Sequence, residues 1–262
     1  MRALCPFVFL LAGAAVAEDL EVDVELFLAA DVSRSMTPVE LAIQRRGYAE
    51  ALTSAEVISA IEKGALGRIA ITYVEWAGEF SQRPVVPWTL VSNAEDARAV
   101  AARITADFEQ ALRRTSISGA IDFAAATFAD NGFASWRRVI DISGDGPNNQ
   151  GRPVTEARDE AVEAGFVING LPLMTEDAIA MRWNLEDLDR YYEACVIGGP
   201  GSFVVPVRAW TEFPAAVRLK IVQELAAAPA PVIRAQFALR PVYDCLVGEK
   251  IWERFRDVWG YP

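Results

Sequence analysis

The chain has 262 residues, a length that fits one large α/β domain and permits, without requiring, two. Hydrophobic residues make up 52% and charged residues 23%, so a packed core is expected rather than disorder. The net charge of −11 leaves no basic footprint for nucleic acid or an anionic membrane, and the absence of histidine excludes Ser-His-Asp and Cys-His catalysis and any His-ligated zinc site.

Met1-Arg2 is followed by an apolar run that closes with Ala15-Val16-Ala17. A cationic start, a short apolar stretch and a small-residue cleavage signature read as a secretory signal peptide over residues 1–17, a retained N-terminal helix being the alternative. One domain with a C-terminal extension is then expected over residues 18–262, in the periplasm or outside the cell. No later segment has the ~18 uninterrupted apolar residues of a spanning helix, so no membrane span is expected in the mature chain. Removal of the leader takes Cys5 and leaves Cys195 and Cys245, which in an exported chain favour a disulfide over two free thiols.

Residues 22–30 begin with alternation and end continuously apolar, as a central strand does. A polar loop follows, and Thr37-Pro38 gives an N-cap and first-turn proline for a helix over 39–53. A second helix is expected over 54–63. Residues 68–76 read as a strand and 83–90 as its neighbour, placed at an edge by two prolines. Ser92-Asn93 caps a helix to Phe108, and a polar loop at 113–119 leads into a helix to Ala129.

Residues 138–143 form the next strand, ended by Gly144-Asp-Gly-Pro-Asn-Asn149. Beyond it lie a helix over 153–164, a strand over 166–173, a helix over 185–195 and a short strand over 203–207. An amphipathic helix over 214–227 and a closing helix over 249–258 complete the series, the tail from Pro229 being otherwise unassigned. Such alternation predicts right-handed β-α-β units and a doubly wound, mostly parallel central sheet with helices on both faces.

Asp31-Val-Ser33-Arg-Ser35 lies beyond the carboxyl end of the first strand, and Asp145 beyond that of the 138–143 strand. In open α/β sheets ligands collect in the crevice at such strand ends. Carboxylates and hydroxyls are hard oxygen donors suited to Mg²⁺, Mn²⁺ or Ca²⁺. Plainer readings remain open: Asp31 and Ser33 as helix-capping groups, and Gly144-Asp-Gly146 as an ordinary turn. Asp141, mid-strand, is expected to bond nearby backbone. Asn148 and Asn149 read as turn and cap residues. Tyr73, Trp76, Trp88, Tyr191, Tyr192, Trp252 and Trp259 read as packing, and Arg113-Arg114 and Arg137-Arg138 as solvated pairs. The first of these pairs, beside Thr115, could also attract an acidic ligand.

Asp31-Val-Ser-Arg-Ser35 resembles the Asp-x-Ser-x-Ser element of the metal-ion-dependent adhesion site in von Willebrand A and integrin I-type domains. Thr115 sits where that family places its metal-site threonine, and Asp145-Gly146 is similar to its Thr-Asp-Gly element, with Gly144 in place of threonine. The resemblance spans residues 22–173, and the 143–149 segment is also similar to a bacterial exported subgroup. It implies a von Willebrand A fold and a divalent cation held by Asp31, Ser33, Ser35, Thr115 and Asp145. It also implies one coordination position left for an Asp or Glu carboxylate of a protein partner. The expected function is therefore a metal-dependent, adhesion-type binding module and not an enzyme. A metal-stabilised structural domain and a metal-assisted hydrolase are the alternatives.

Overall fold

The computed structural model describes residues 18–106, 112–175, 185–226 and 243–259. The expected signal segment, the expected ends of two helices at Phe108 and Ala227, and the tail from Pro229 to 242 lie outside them.

The elements run β1 (Leu20–Glu21), β2 (Glu25–Asp31), α1 (Pro38–Leu52), α2 (Ala55–Glu62), β3 (Ile69–Trp76), β4 (Gln82–Val91), α3 (Ala94–Ala106) and α4 (Ile117–Thr127). They continue with β5 (Phe133–Ala134), β6 (Arg138–Gly144), α5 (Val154–Glu163), β7 (Phe166–Pro172), α6 (Leu188–Tyr191), a π-helical turn (Tyr192–Val196), α7 (Phe213–Leu225) and α8 (Val247–Trp259).

Five strands form the central sheet in the order β4-β3-β2-β6-β7. β2, β3, β6 and β7 are mutually parallel, and β4 joins antiparallel at one edge. Every residue of β2 and β3 is buried, as a strand covered on both faces requires. Pro84 and Pro87 fall in the edge strand, where a missing ladder donor is tolerated. At the opposite edge, residues 203–207 follow β7 through isolated bridges rather than a full ladder. Val205 N–H donates to the Gly170 carbonyl at 3.0 Å and Val207 N–H to that of Pro172 at 2.9 Å. The small β1–β5 pairing was not anticipated.

Local chemistry starts the helices where the sequence predicts. Thr37 caps α1 in a reciprocal capping box with Glu40, and Pro38 occupies the first turn. Asn93 Oδ1 accepts from the backbone N–H groups of Glu95 and Asp96 at the start of α3. The period-two pleat then divides the core. Leu26, Leu28 and Ala30 pack with Tyr48, Val100, Phe213 and Ile221 on the face covered by α1, α3 and α7. Phe27 and Ala29 pack with Ile121, Ala157 and Tyr192 on the face covered by α4, α5 and the π-helical turn.

Two expectations are corrected on these faces. Among the described residues Asp141 makes no side-chain bond to backbone. Its carboxylate pairs with Lys220 Nζ of α7 at 2.7 Å, deep in the core, because a buried charge is held best by an opposite charge. Arg137 and Arg138 are not solvated pairs. Arg137 donates to the carbonyls of Glu224 and Leu225, and Arg138 to that of Ala164, so both cover helix C-termini.

Cys195 and Cys245 form the expected disulfide, which fastens the π-helical turn to the segment just before α8. α8 lies against the 147–149 loop, where Glu249 Oε1 accepts from Asn148 Nδ2 at 2.7 Å. Trp252 carries the Arg114 guanidinium 3.4 Å above its ring centroid. Among the described residues no helix is long and apolar enough to cross a membrane.

Candidate metal centre

β2 and β6 are parallel neighbours whose register pairs Ala30 with Ser143, so Asp31 and Asp145 leave the sheet side by side. The loop after β2 turns back on itself as Ser33 N–H donates to Asp31 Oδ1 at 2.7 Å. Ser33 Oγ lies 3.0 Å from Ser35 Oγ, and Ser35 Oγ donates to Asp145 Oδ1 at 2.8 Å. Four of the five residues named from the sequence thus share one hydrogen-bonded chain.

Thr115 reaches this place through its backbone. Its N–H donates to Asn149 Oδ1 at 3.0 Å, and Asn149 N–H donates back to the Thr115 carbonyl at 2.8 Å. Leu112 N–H bonds the Val32 carbonyl at 2.8 Å, which ties the same segment to the loop after β2. Thr115 is buried where the two other segments meet, yet no described hydrogen bond joins its hydroxyl to the other four residues. Arg114, just before it, has a φ of 77°, a strained left-handed turn that its stacking on Trp252 helps to hold. Arg114 is therefore a structural partner of α8 rather than a solvated charge.

Two buried acids meet at this place. Burial pushes the Asp31 carboxyl well above the usual carboxylate range, and the charge of Asp145 adds to that rise. Burial likewise lifts Asp145 to about 6, with the Ser35 hydrogen bond opposing and the Glu40 charge reinforcing. Asp31 Oδ2 is buried with no hydrogen-bond partner. Among the described residues, no lysine or arginine pairs with either carboxylate. An orphaned carboxylate oxygen, a second buried acid and nearby hydroxyls fit a hard divalent ion. No three carboxylate or cysteine groups converge among the described residues, so hydroxyls must complete any shell here.

Sequence reasoning missed the roles of four residues around this centre. Gln44 Nε2 donates to the Asp31 carbonyl at 2.9 Å, fixing the point where β2 becomes loop. Asn149, read as a turn residue, clamps Thr115, and Asn148 Oδ1 accepts from Ser118 N–H at 3.1 Å, anchoring the first turn of α4. Tyr192, read as packing, is wholly buried with its hydroxyl beside Gly144. Polar residues placed immediately after a buried strand were the available signal for Asn148 and Asn149. Gln44 and Tyr192 carried none.

A family model described as "Protein of unknown function (DUF1194)" matches residues 21–229. The chain belongs to this family. No curated protein matches the sequence. Among solved structures, the pilus adhesin SpaC from Lactobacillus rhamnosus GG is similar, with a TM-score of 0.56 at 10% identity over 79% of this chain and 31% of that one. Proximal thread matrix protein 1 from the mussel byssus, described with a zinc-occupied MIDAS motif, gives 0.54 at 14% identity over 78% of this chain and 48% of that one. A von Willebrand factor type A protein from Catenulispora acidiphila gives 0.50 at 15% identity over 78% of this chain and 43% of that one. The likeness is one of fold, and this DUF1194 member has the von Willebrand A fold. The match spans less than half of each of those chains.

Proposed function

We propose that this DUF1194 protein is an exported, metal-dependent protein-binding module. Asp31, Ser33, Ser35, Thr115 and Asp145 would hold a divalent cation that engages an Asp or Glu carboxylate of a partner. One observation carries the reading: two buried carboxylates meet at the strand ends with an unpartnered oxygen and, among the described residues, no cationic side chain paired to either. A bound ion would supply positive charge and a directional contact for an acidic group. The chain's residues orient the donors, through the Ser33 amide on Asp31 and the Ser35 hydroxyl on Asp145, and keep water from the inner carboxylate. The donor set favours Mg²⁺, with Mn²⁺ or Ca²⁺ as further candidates. Zinc belongs in the test because a structure of similar fold carries it at such a motif. The disulfide supports an oxidising compartment, periplasmic or outside the cell. With no histidine to move protons, a binding role is favoured over catalysis.

Calorimetric titration with Mg²⁺, Mn²⁺, Ca²⁺ and Zn²⁺, run beside Asp31→Ala, tests the site. Capture of envelope proteins with and without EDTA then tests the partner. The expected result is binding by the wild type, at least tenfold weaker in Asp31→Ala, and partner capture that EDTA abolishes. Metal-dependent melting without any EDTA-sensitive partner would mark a structural metal. Unchanged metal and partner binding in Asp31→Ala would overturn the proposal.

A further inference from the structure

The last helix, α8, touches the candidate metal centre at two places, each one residue removed from a clamped pair. Thr115 and Asn149 hold each other by reciprocal bonds, and the residues just before them, Arg114 and Asn148, both contact α8. On one side the Arg114 guanidinium lies 3.4 Å from the centroid of the Trp252 ring. On the other, Glu249 Oε1 accepts from Asn148 Nδ2 at 2.7 Å. Gly248 permits the approach. A Cβ there would collide with the Asn148 carbonyl and lie 3.0 Å from Pro147 Cβ. Glycine is a poor helix former, and this close packing accounts for its presence in the first turn.

Arg114 needs such a hold. Its φ of 77° is a conformation that glycine takes freely and an arginine takes only under constraint. Stacking of the guanidinium on the indole face fixes the residue whose backbone turns the chain toward Thr115. Asn148 is held from several directions. Its Oδ1 accepts from Ser118 N–H and its own N–H donates to the Tyr191 hydroxyl, both at 3.1 Å, so Glu249 closes a cage around the residue before Asn149. α8 is kept within reach by its N-terminal side. Cys245, just ahead of the helix, is bonded to Cys195, and the Tyr243 hydroxyl donates to Asp187 Oδ1 at 2.9 Å. A short tether of this kind keeps the helix at high effective concentration against the two loops. α8 lies outside residues 22–173 and adds no strand to the sheet, so its contribution is made at those loops.

We infer that α8 is a brace that seats Thr115 at the candidate metal centre, with Trp252 and Glu249 as its positioning residues. Thr115 is the member of the five whose hydroxyl has no described bond to the others, so its place depends on these backbone and neighbour contacts. The third segment of the centre is thus set from the far end of the chain. Displacing α8 loosens Thr115 and leaves the Asp31 loop as it was. The consequence for metal affinity rests on the function proposed above; the hold on Thr115 does not.

Amide hydrogen exchange in the metal-free protein reads the brace at Thr115 and Asn149, whose N–H groups lie inside the reciprocal pair. Trp252→Ala should speed both several-fold, with Ser33, the β2 and β6 amides and the melting temperature unchanged. Trp252→Phe, which keeps an aromatic face for the guanidinium, should restore most of the protection. Gly248→Ala, which pushes the first turn of α8 off Asn148, should act in the same direction as Trp252→Ala. On an Arg114→Gly background the left-handed turn is unstrained and there is no guanidinium to stack, so Trp252→Ala should add little. Calorimetry should show Mg²⁺ or Mn²⁺ bound roughly tenfold more weakly by Trp252→Ala, the lower end for loss of an outer-shell partner. Wild-type exchange at Thr115 and Asn149 in Trp252→Ala would overturn the inference, as would an undiminished effect on the Arg114→Gly background. So would a metal affinity in Trp252→Ala equal to that of a metal-binding wild type. Loss of protection spread over β2 and β6 with a lowered melting temperature would also overturn it, reducing α8 to general packing. If Thr115 and Asn149 respond but the wild-type protein takes up no divalent ion, the proposed function fails and the brace stands.

Discussion

Asp141 and Asp145 sit one above the other, within β6 and just past its end, and their surroundings answer the same electrostatic problem in opposite ways. Asp141 faces α7, where Lys220 Nζ lies 2.7 Å from its carboxylate and 2.6 Å from that of Glu224. Asn169 Nδ2 completes the group by donating to Glu224 Oε1 at 2.9 Å. One lysine serves two acids, and burial pushes Glu224 up to about 7 although Lys220 pulls it down. At the strand end, Asp145 meets Asp31 with hydroxyls nearby but no lysine or arginine paired to either among the described residues. The lower level contains its own counter-charge. The upper level leaves that role to a solute.

The largest effect expected from breaking this contrast is at the lower level. Lys220→Met strands two buried acids, and urea denaturation at pH 8 should show a loss of about 3–5 kcal/mol. The loss should shrink toward pH 5, where both acids can take protons; an equal loss at both pH values would contradict the account. At the upper level the sign reverses. Asp145→Asn removes a buried charge that has no cation, so the metal-free chain should gain about 2 kcal/mol at pH 8. The variant should also lose the extra melting stability that a divalent ion gives the wild type. A less stable metal-free variant would show that the upper pair is already compensated.

A third effect lies in the pH profile. Asp145 titrates near 6 when folded, against an ordinary 3.8, so the unfolded chain releases its proton first. The metal-free protein should therefore lose stability as pH rises from about 4 to about 6, and Glu224 should extend the decline toward about 7. A saturating divalent ion should flatten the Asp145 part, because it binds the deprotonated form. Melting temperatures across this range, with and without the ion, check it. The smallest effect is Ser35→Ala, which removes the hydrogen bond to Asp145 and should change metal-free stability by only about 1 kcal/mol. Its larger mark should be weaker metal binding by calorimetry.

The fold was legible because local signals agreed with it. Apolar strands, the Thr37-Pro38 start of α1 and the prolines of β4 each specify structure within a few residues. The Asp-x-Ser-x-Ser loop and Asp145 were legible for a related reason: both follow strand ends, and adjacent parallel strands bring their ends together. Groups that act across the fold were not legible. Nothing near Asp141 in the sequence announces Lys220, and Arg137 gives no sign that it closes the end of α7. Gly170 inside a buried strand was the clue to the close approach of Tyr192, since a glycine there marks close approach by another element. Which element approached depended on the turn that carries Tyr192.

The bond between Cys195 and Cys245 has a consequence for how the chain withstands peptidases. A single cut between residues 196 and 244 would sever the backbone ahead of α8 without freeing it. The two fragments would travel as one species until a reductant parted them. The cross-link also starts in the turn that opens with Tyr192, so reduction would release both that turn and the segment before α8 in one event. A nicked molecule in an oxidising compartment can thus keep its strand-end loops covered, whereas an intact one under reducing conditions has lost one of its fastenings.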